Sequence, residues 1–109
     1  MNLNSEQLHI EVDEQADEVV ITLDGELDPH TAPLLAREVE RLIGQGSTTV
    51  VLELSKLRFI DSSGLRVVVS AHRELEAQGG RLSLRSPSAT AKRLLEITGL
   101  VDHLEIAGP

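Results

Sequence analysis

The tetrad Asp61-Ser62-Ser63-Gly64 puts one carboxylate and two hydroxyls side by side, between a β-branched run from Thr49 to Leu54 and an amphipathic run from Leu65 to Leu75. The stretch from Phe59 to Arg66 is therefore predicted to be the turn from a strand into a helix. Side chains of these types do one of two things at a helix start. Asp61 or Ser62 can cap, accepting a hydrogen bond from an orphan backbone N–H of the first turn. A serine can instead be presented for modification, because a helix N-terminus tolerates an added phosphate.

Asp28, in Gly25-Glu26-Leu27-Asp28-Pro29-His30-Thr31, is the carboxylate that a sheet would bring to Ser63 across 35 residues of sequence. A carboxylate near a serine opens three chemistries. Hydrolysis needs a base within hydrogen-bond reach of the nucleophile. No Gly-x-Ser-x-Gly elbow is present, and His72 lies roughly 13 Å along the helix from Ser63 at 1.5 Å per residue. His30 is closer, but a lone loop histidine is more often a solvated side chain. Metal or nucleotide binding by Asp28, Asp61 and the serines is the second: two carboxylates could hold a magnesium ion, but a nucleotide site has no support without a phosphate-cradling glycine loop and its lysine. The third is a docking surface switched by phosphate on Ser63, which adds about -1.5 to -2 charges at the helix start.

These groups must be positioned by the elements around them. Leu8, Ile10 and Val12 alternate with His9 and Glu11, which predicts a half-buried strand followed by a polar turn over Asp13 to Glu18. Val19 to Leu23 predicts a second strand, paired with the first as a hairpin and ended by Gly25. Asp28 before Pro29, or Thr31 before Pro33, caps a first helix. Its Leu35, Val39 and Leu42 share a face, while Arg37, Glu38, Glu40 and Arg41 face water, and Gly44 and Gly46 stop it. Thr49 to Leu54 is the third strand, and Ser55 to Ser63 its outgoing loop.

In the second helix Leu65, Val68, Val69, His72 and Leu75 share a face, which leaves Val67 and Ala71 exposed unless something covers them. Gly79-Gly80 ends it. Arg81 to Arg85 is a short strand with Leu82 and Leu84 inward. Ser86-Pro87-Ser88 introduces a third helix that stops at Gly99, with Leu94, Leu95 and Ile97 as its apolar side, and His103 to Ile106 forms a last strand.

Helices joining successive strands make those strands parallel if they share a sheet. The expected fold is a two-layer α/β domain: a mixed, mostly parallel sheet with an antiparallel N-terminal strand and helices packed mainly on one face. Loops leaving strand C-termini then share one edge, so Glu26 to His30, Ser55 to Ser63 and Ser86 to Ser88 should meet there.

At 109 residues the expectation is one domain spanning 1–109. The absence of cysteine removes disulfides and thiolate metal sites. No apolar run approaches the ~20 residues of a membrane span, so no membrane insertion is expected. With no signal-peptide pattern over Met1 to Ile10, the expected location is the cytoplasm.

The net charge of -8 is unevenly spread: residues 1–28 hold nine of the eighteen acidic side chains and no Lys or Arg. That stretch repels nucleic acid and favours a basic protein partner, unless it is simply a solvated surface. One aromatic, Phe59, makes no stacking platform for single strands. Direct nucleic-acid binding is not expected.

Asp61-Ser62-Ser63-Gly64-Leu65, Gly25-Glu26-Leu27-Asp28 with Thr31-Ala32, and Leu94-Leu95-Glu96-Ile97-Thr98-Gly99-Leu100 together resemble the STAS domains, and within them the stand-alone bacterial anti-sigma factor antagonists. The resemblance implies a protein that binds an anti-sigma factor serine kinase and so releases its sigma factor. Phosphorylation at the second serine of the motif, Ser63, turns capture off, and a serine phosphatase restores it. ATP and magnesium belong to the kinase, so the resemblance implies a substrate and ligand, not an enzyme, with no catalytic residue, cofactor or metal of its own.

By the same resemblance Asp28 helps dock the kinase or position the accepting serine, and Ser62 is the flanking hydroxyl. Arg66 either pairs with phosphate or is a solvated first-turn arginine. Val67 and Ala71 either form the apolar part of a docking face or are buried. The expected partner-binding set is Asp28, Asp61, Ser62, Ser63, Gly64, Arg66 and Val67. A second reading is a non-catalytic STAS subunit of a stress-signalling scaffold or of a lipid-transport ATPase complex.

Overall fold

The computed structural model describes residues 2–4, 7–100 and 104–107. Six strands and three helices follow one another as β1 (Asn2–Asn4), β2 (Leu8–Glu14), β3 (Val19–Leu27), α1 (Ala32–Gly44), β4 (Thr49–Ile60), α2 (Ser62–Ala77), β5 (Arg81–Arg85), α3 (Ala89–Thr98) and β6 (Glu105–Ala107). The strands lie in the sheet in chain order. β1–β2 and β2–β3 are antiparallel, and β3–β4, β4–β5 and β5–β6 are parallel. The mixed, mostly parallel α/β fold expected from the sequence is the observed one.

All three helices cover the same face. Leu35, Val39 and Leu42 of α1, Leu65, Val68 and Leu75 of α2, and Ala91 and Leu95 of α3 join Ile10, Ile21, Leu52 and Leu84 of the strands in one cluster. A helix of 13 residues is marginal alone, so α1 is held by this packing: each fully buried leucine contributes about 1.5–3 kcal/mol relative to exposure. Val20, Val51 and Ser83 align across the ladder on the opposite face, outside that cluster and away from the three helices among the described residues.

Several elements differ from the sequence expectation for identifiable reasons. Gly25 does not end β3, which runs on to Leu27. Its φ of +128° and its approach to Gln7, where a Cβ would stand 2.1 Å from the carbonyl oxygen, bend the strand instead of stopping it. The supposed loop Ser55–Ile60 is strand, the second half of β4. Register shifts between Thr22 and Asp24 and between Gly25 and Glu26 put two extra residues on β4. Inward leucines and isoleucine therefore recur at Leu54, Leu57 and Ile60, a spacing of three that hides the period of two.

Asp13 and Glu14 extend β2 beyond the expected turn, and β1 was not anticipated. Glu38 does not face water: it is 2% exposed and accepts from the Nε and Nη2 of Arg41, which also lies 3.8 Å from Glu14. Ala71 is buried in the core cluster and also lines the α1–α2 groove, whereas Ile97, assigned to the apolar side of α3, is 70% exposed and Ala91 takes its place. The last strand is Glu105–Ala107; His103 lies outside the described residues.

Candidate functional site

β3 and β4 end together, with Leu27 opposite Ile60, so Asp28 and Asp61 are the next residue on each of two adjacent strands. The backbone N–H of Asp61 donates to the carbonyl of Leu27 at 3.2 Å, closing the two strand ends against each other. Two loops of the predicted edge do meet here. The third, before α3, is tied to β4 lower down by Ser88 N–H donating to Leu54 at 3.3 Å.

At the start of α2, Asp61 is the cap. Its extended backbone directs Oδ1 to the N–H of Ser63 at 2.8 Å and of Gly64 at 3.4 Å. Ser62 takes no part in that cap and is exposed. Gly64 is buried, and a Cβ there would lie 2.6 Å from Leu27 Cδ2 and 3.0 Å from Ile60 Cγ1. It sets how closely the helix sits on the strand ends and offers no surface of its own.

The loop before α1 is more heavily built. Asp28 Oδ1 accepts from His30 N–H at 2.9 Å and Thr31 N–H at 3.0 Å. Thr31, only 1% exposed, donates its hydroxyl to Glu26 O at 2.8 Å and accepts from Asp28 N–H at 2.9 Å. Of the two candidate caps, Thr31 stands at the cap position without a side-chain cap bond, and the helix opens at Ala32. Partial desolvation pushes the Asp28 carboxyl up, but the bonds from Thr31 and His30 and the nearby imidazole outweigh it, leaving Asp28 below its ordinary value. It is ionised at neutral pH.

Between α1 and α2 runs an open groove of about 530 Å³. Pro29, Ala32, Pro33, Ala36 and Val39 form one wall, and Ser63, Val67 and Ala71 the other. Both helices start at the strand-end edge, so Ser63 stands at the same end of the groove as Pro29, and Arg66 lies one turn further along α2. Arg66 is exposed and forms no ion pair among the described residues. The polar end of the groove thus holds the Ser63 hydroxyl and the Arg66 guanidinium, beside two helix starts where Asp28 and Asp61 already accept from the backbone N–H groups.

The imidazole of His72 is engaged within its own helix. His72 pairs through Nε2 with Glu76 at 3.3 Å, one turn along α2. Among the described residues no group of His, Cys, Asp and Glu is placed to hold a metal ion, and no helix is long and apolar enough to cross a membrane.

A family profile described as STAS domain matches residues 9–108. The chain belongs to the STAS domain family. It is similar to an anti-sigma F factor antagonist of Lysinibacillus sphaericus, 42% identical over 83 residues covering 75% of this chain and 71% of that protein. It is also similar to an anti-sigma-B factor antagonist of Bacillus subtilis, 32% identical over 107 residues covering 98% and 93%. Among solved structures, the Bacillus cell fate determinant SpoIIAA in its phosphorylated form superimposes with a TM-score of 0.73 at 35% identity, covering 90% of each chain. The same protein in unphosphorylated form gives 0.79 at 34% identity, covering 90% of this chain and 87% of that one.

In this STAS domain two residues of the edge escaped the sequence reading. Thr31, a competing cap and part of the Thr31-Ala32 segment of the resemblance, is a buried link between Glu26 and Asp28, and its place between Asp28 and Pro33 is the available signal. Phe59, assigned to a turn, is on a strand and 44% exposed. No periodicity could reveal that, because the bulges in β4 break it.

Proposed function

We propose that this chain is an anti-sigma factor antagonist that acts in the cytoplasm by capturing an anti-sigma factor serine kinase, so that the bound sigma factor is released, and that phosphorylation of Ser63 ends the capture. The observation that supports it best is the division of labour at the start of α2: Asp61 holds the backbone N–H groups of Ser63 and Gly64, and the Ser63 side chain stands at the groove mouth outside that cap. The relatives are anti-sigma factor antagonists, which supports an anti-sigma factor as the partner.

The transfer is simple to balance. Ser63 Oγ attacks the γ-phosphorus of kinase-bound ATP, the bond to the β-phosphate oxygen breaks, ADP leaves with that electron pair, and the serine proton passes to a base on the kinase. A serine phosphatase returns the chain to its binding form by hydrolysing the phosphoester. In this arrangement Asp28, Asp61, Ser62, Ser63, Arg66 and Val67 meet the partner, and Gly64 fixes the helix beneath them.

The off-switch follows from who occupies the helix N-terminus. Transfer requires Ser63 to face the phosphates of the kinase nucleotide. A phosphate on Ser63, about -1.5 to -2 charges, meets that anion head-on. Two N–H groups that would otherwise absorb the charge already bind Asp61. Arg66 is the nearest cation of its own helix, so the phosphate can be carried without unfolding α2.

The decisive measurement is binding of the purified chain to its anti-sigma factor kinase loaded with ADP. Ser63→Ala should bind like the unmodified chain and accept no phosphate. Ser63→Glu should bind about 100-fold more weakly or worse, the cost of an unpaired charge at an interface. Equal affinity for all three, or phosphate found on Ser62, removes the assignment.

A further inference from the structure

We infer that Phe59 is an apolar anchor of this edge, seated in a pocket of the anti-sigma factor that is rimmed by basic side chains; the inference rests on the antagonist reading above. Phe59 is the only aromatic residue of the chain, and it is 44% exposed. Its exposure is built in by the backbone. The two extra residues of β4 turn Leu57 and Ile60 into the core and leave Phe59 opposite Glu26, on the sheet face that carries no helix. A bulge that re-aims a side chain next to a functional turn is a recurrent device, and here it aims outward the one residue with the largest apolar surface.

The surroundings define the partner chemistry. Glu26 lies opposite Phe59 in the ladder, Asp61 follows two residues later, and Asp28 is the first residue past the neighbouring strand. The nearest cation of β4, Arg58, is paired with Asp24 at 3.2 Å. An apolar side chain that faces Glu26, with Asp28 and Asp61 holding the helix starts at the same edge, is matched by an apolar pocket rimmed by Lys or Arg. Ile97, the other exposed large apolar side chain among the described residues, stands on α3, away from this edge.

Distance ties Phe59 to the same partner as Ser63. Four residues separate them, so their α-carbons are about 15 Å apart at most. A standard interface covers about 800 Å² per partner, a patch roughly 30 Å across. A kinase that covers the strand-end edge at Ser63 is within reach of Phe59 where it wraps from the groove side over the end of β4, and buried aromatics dominate the energetics of such patches.

The test measures affinity for the ADP-loaded kinase and steady-state phosphorylation of Ser63, using the full chain. Phe59→Ala should weaken binding about 30-fold, the level of an interface hot spot. It should raise KM for phosphorylation with kcat unchanged, because the accepting serine is untouched. Phe59→Tyr should restore affinity to within about 3-fold of the unsubstituted chain. Ile97→Ala should change nothing, and thermal unfolding of each variant separates lost binding from lost folding.

If Phe59→Ala folds and binds normally while Ser63→Glu fails to bind, the anchor is refuted and the antagonist reading stands. If Phe59→Ala and Phe59→Tyr fail equally, the aromatic has no pocket and the anchor is again refuted. If the unsubstituted chain binds no anti-sigma factor kinase, both fall together.

Discussion

At the start of α1 a single carboxylate oxygen, Asp28 Oδ1, gathers the N–H groups of His30 and Thr31; at the start of α2 Asp61 Oδ1 gathers those of Ser63 and Gly64. The chemistry is shared, but the construction around it is not. The first connection takes four residues and is cross-linked from below by the buried Thr31 hydroxyl. The second takes one residue, so that strand passes into helix at Asp61 and both serines fall at the very beginning of α2. A heavily bonded loop makes a fixed wall, whereas a one-residue cap leaves its hydroxyls for another molecule. Two connections at one edge can thus divide positioning from presentation.

Thr31→Val gives the largest effect expected from that contrast. Valine keeps the shape but leaves Asp28 N–H and Glu26 C=O unpaired, which costs about 2–3 kcal/mol in denaturant unfolding. Asp61→Ala removes only a cap and should cost about 1 kcal/mol. Equal losses for the two variants would mean that both connections are held alike, and the distinction between them would be lost.

The smallest effect concerns pH. Asp28 is held below its ordinary value when folded, so its contribution is complete above the unfolded value of about 3.9 and disappears as pH falls through the lower folded one. Asp28→Asn keeps the acceptor oxygen and loses the charge. The melting temperatures of the two proteins should therefore differ at neutral pH and converge in acid; a gap that stays constant between about pH 7 and about pH 2 contradicts the assignment.

The sequence reading succeeded where a local signal and the tertiary context agree. Alternation in Leu8 to Val12, the apolar stripe of Leu35, Val39 and Leu42, and Asp61 before a helix each state their structure in a few residues. It failed where a backbone event far away in sequence decides the outcome. Gly25 reads as a stop, yet the approach of Gln7 keeps it in the sheet. Leu57 and Ile60 read as loop because the ladder partner of β4 is two residues short. Glu38 reads as solvated because its partner Arg41 sits among equally polar neighbours. The carboxylate and serine at the helix start were legible; the groove beside them was not, since it depends on how two helices lie together.

The strand order has one more consequence. Every strand lies beside its neighbour in sequence, so no crossover has to reach past an intervening strand. The entire strand-end edge, from Gly25 to Val67, lies within one β3–α1–β4–α2 segment of contiguous chain. Closing it brings together ends only a few tens of residues apart, and the entropy of closure grows slowly over such lengths. During synthesis this segment can pair as soon as α2 has emerged, before β5 and α3 exist, so the surface that meets the partner belongs to the earliest part of the molecule able to assemble.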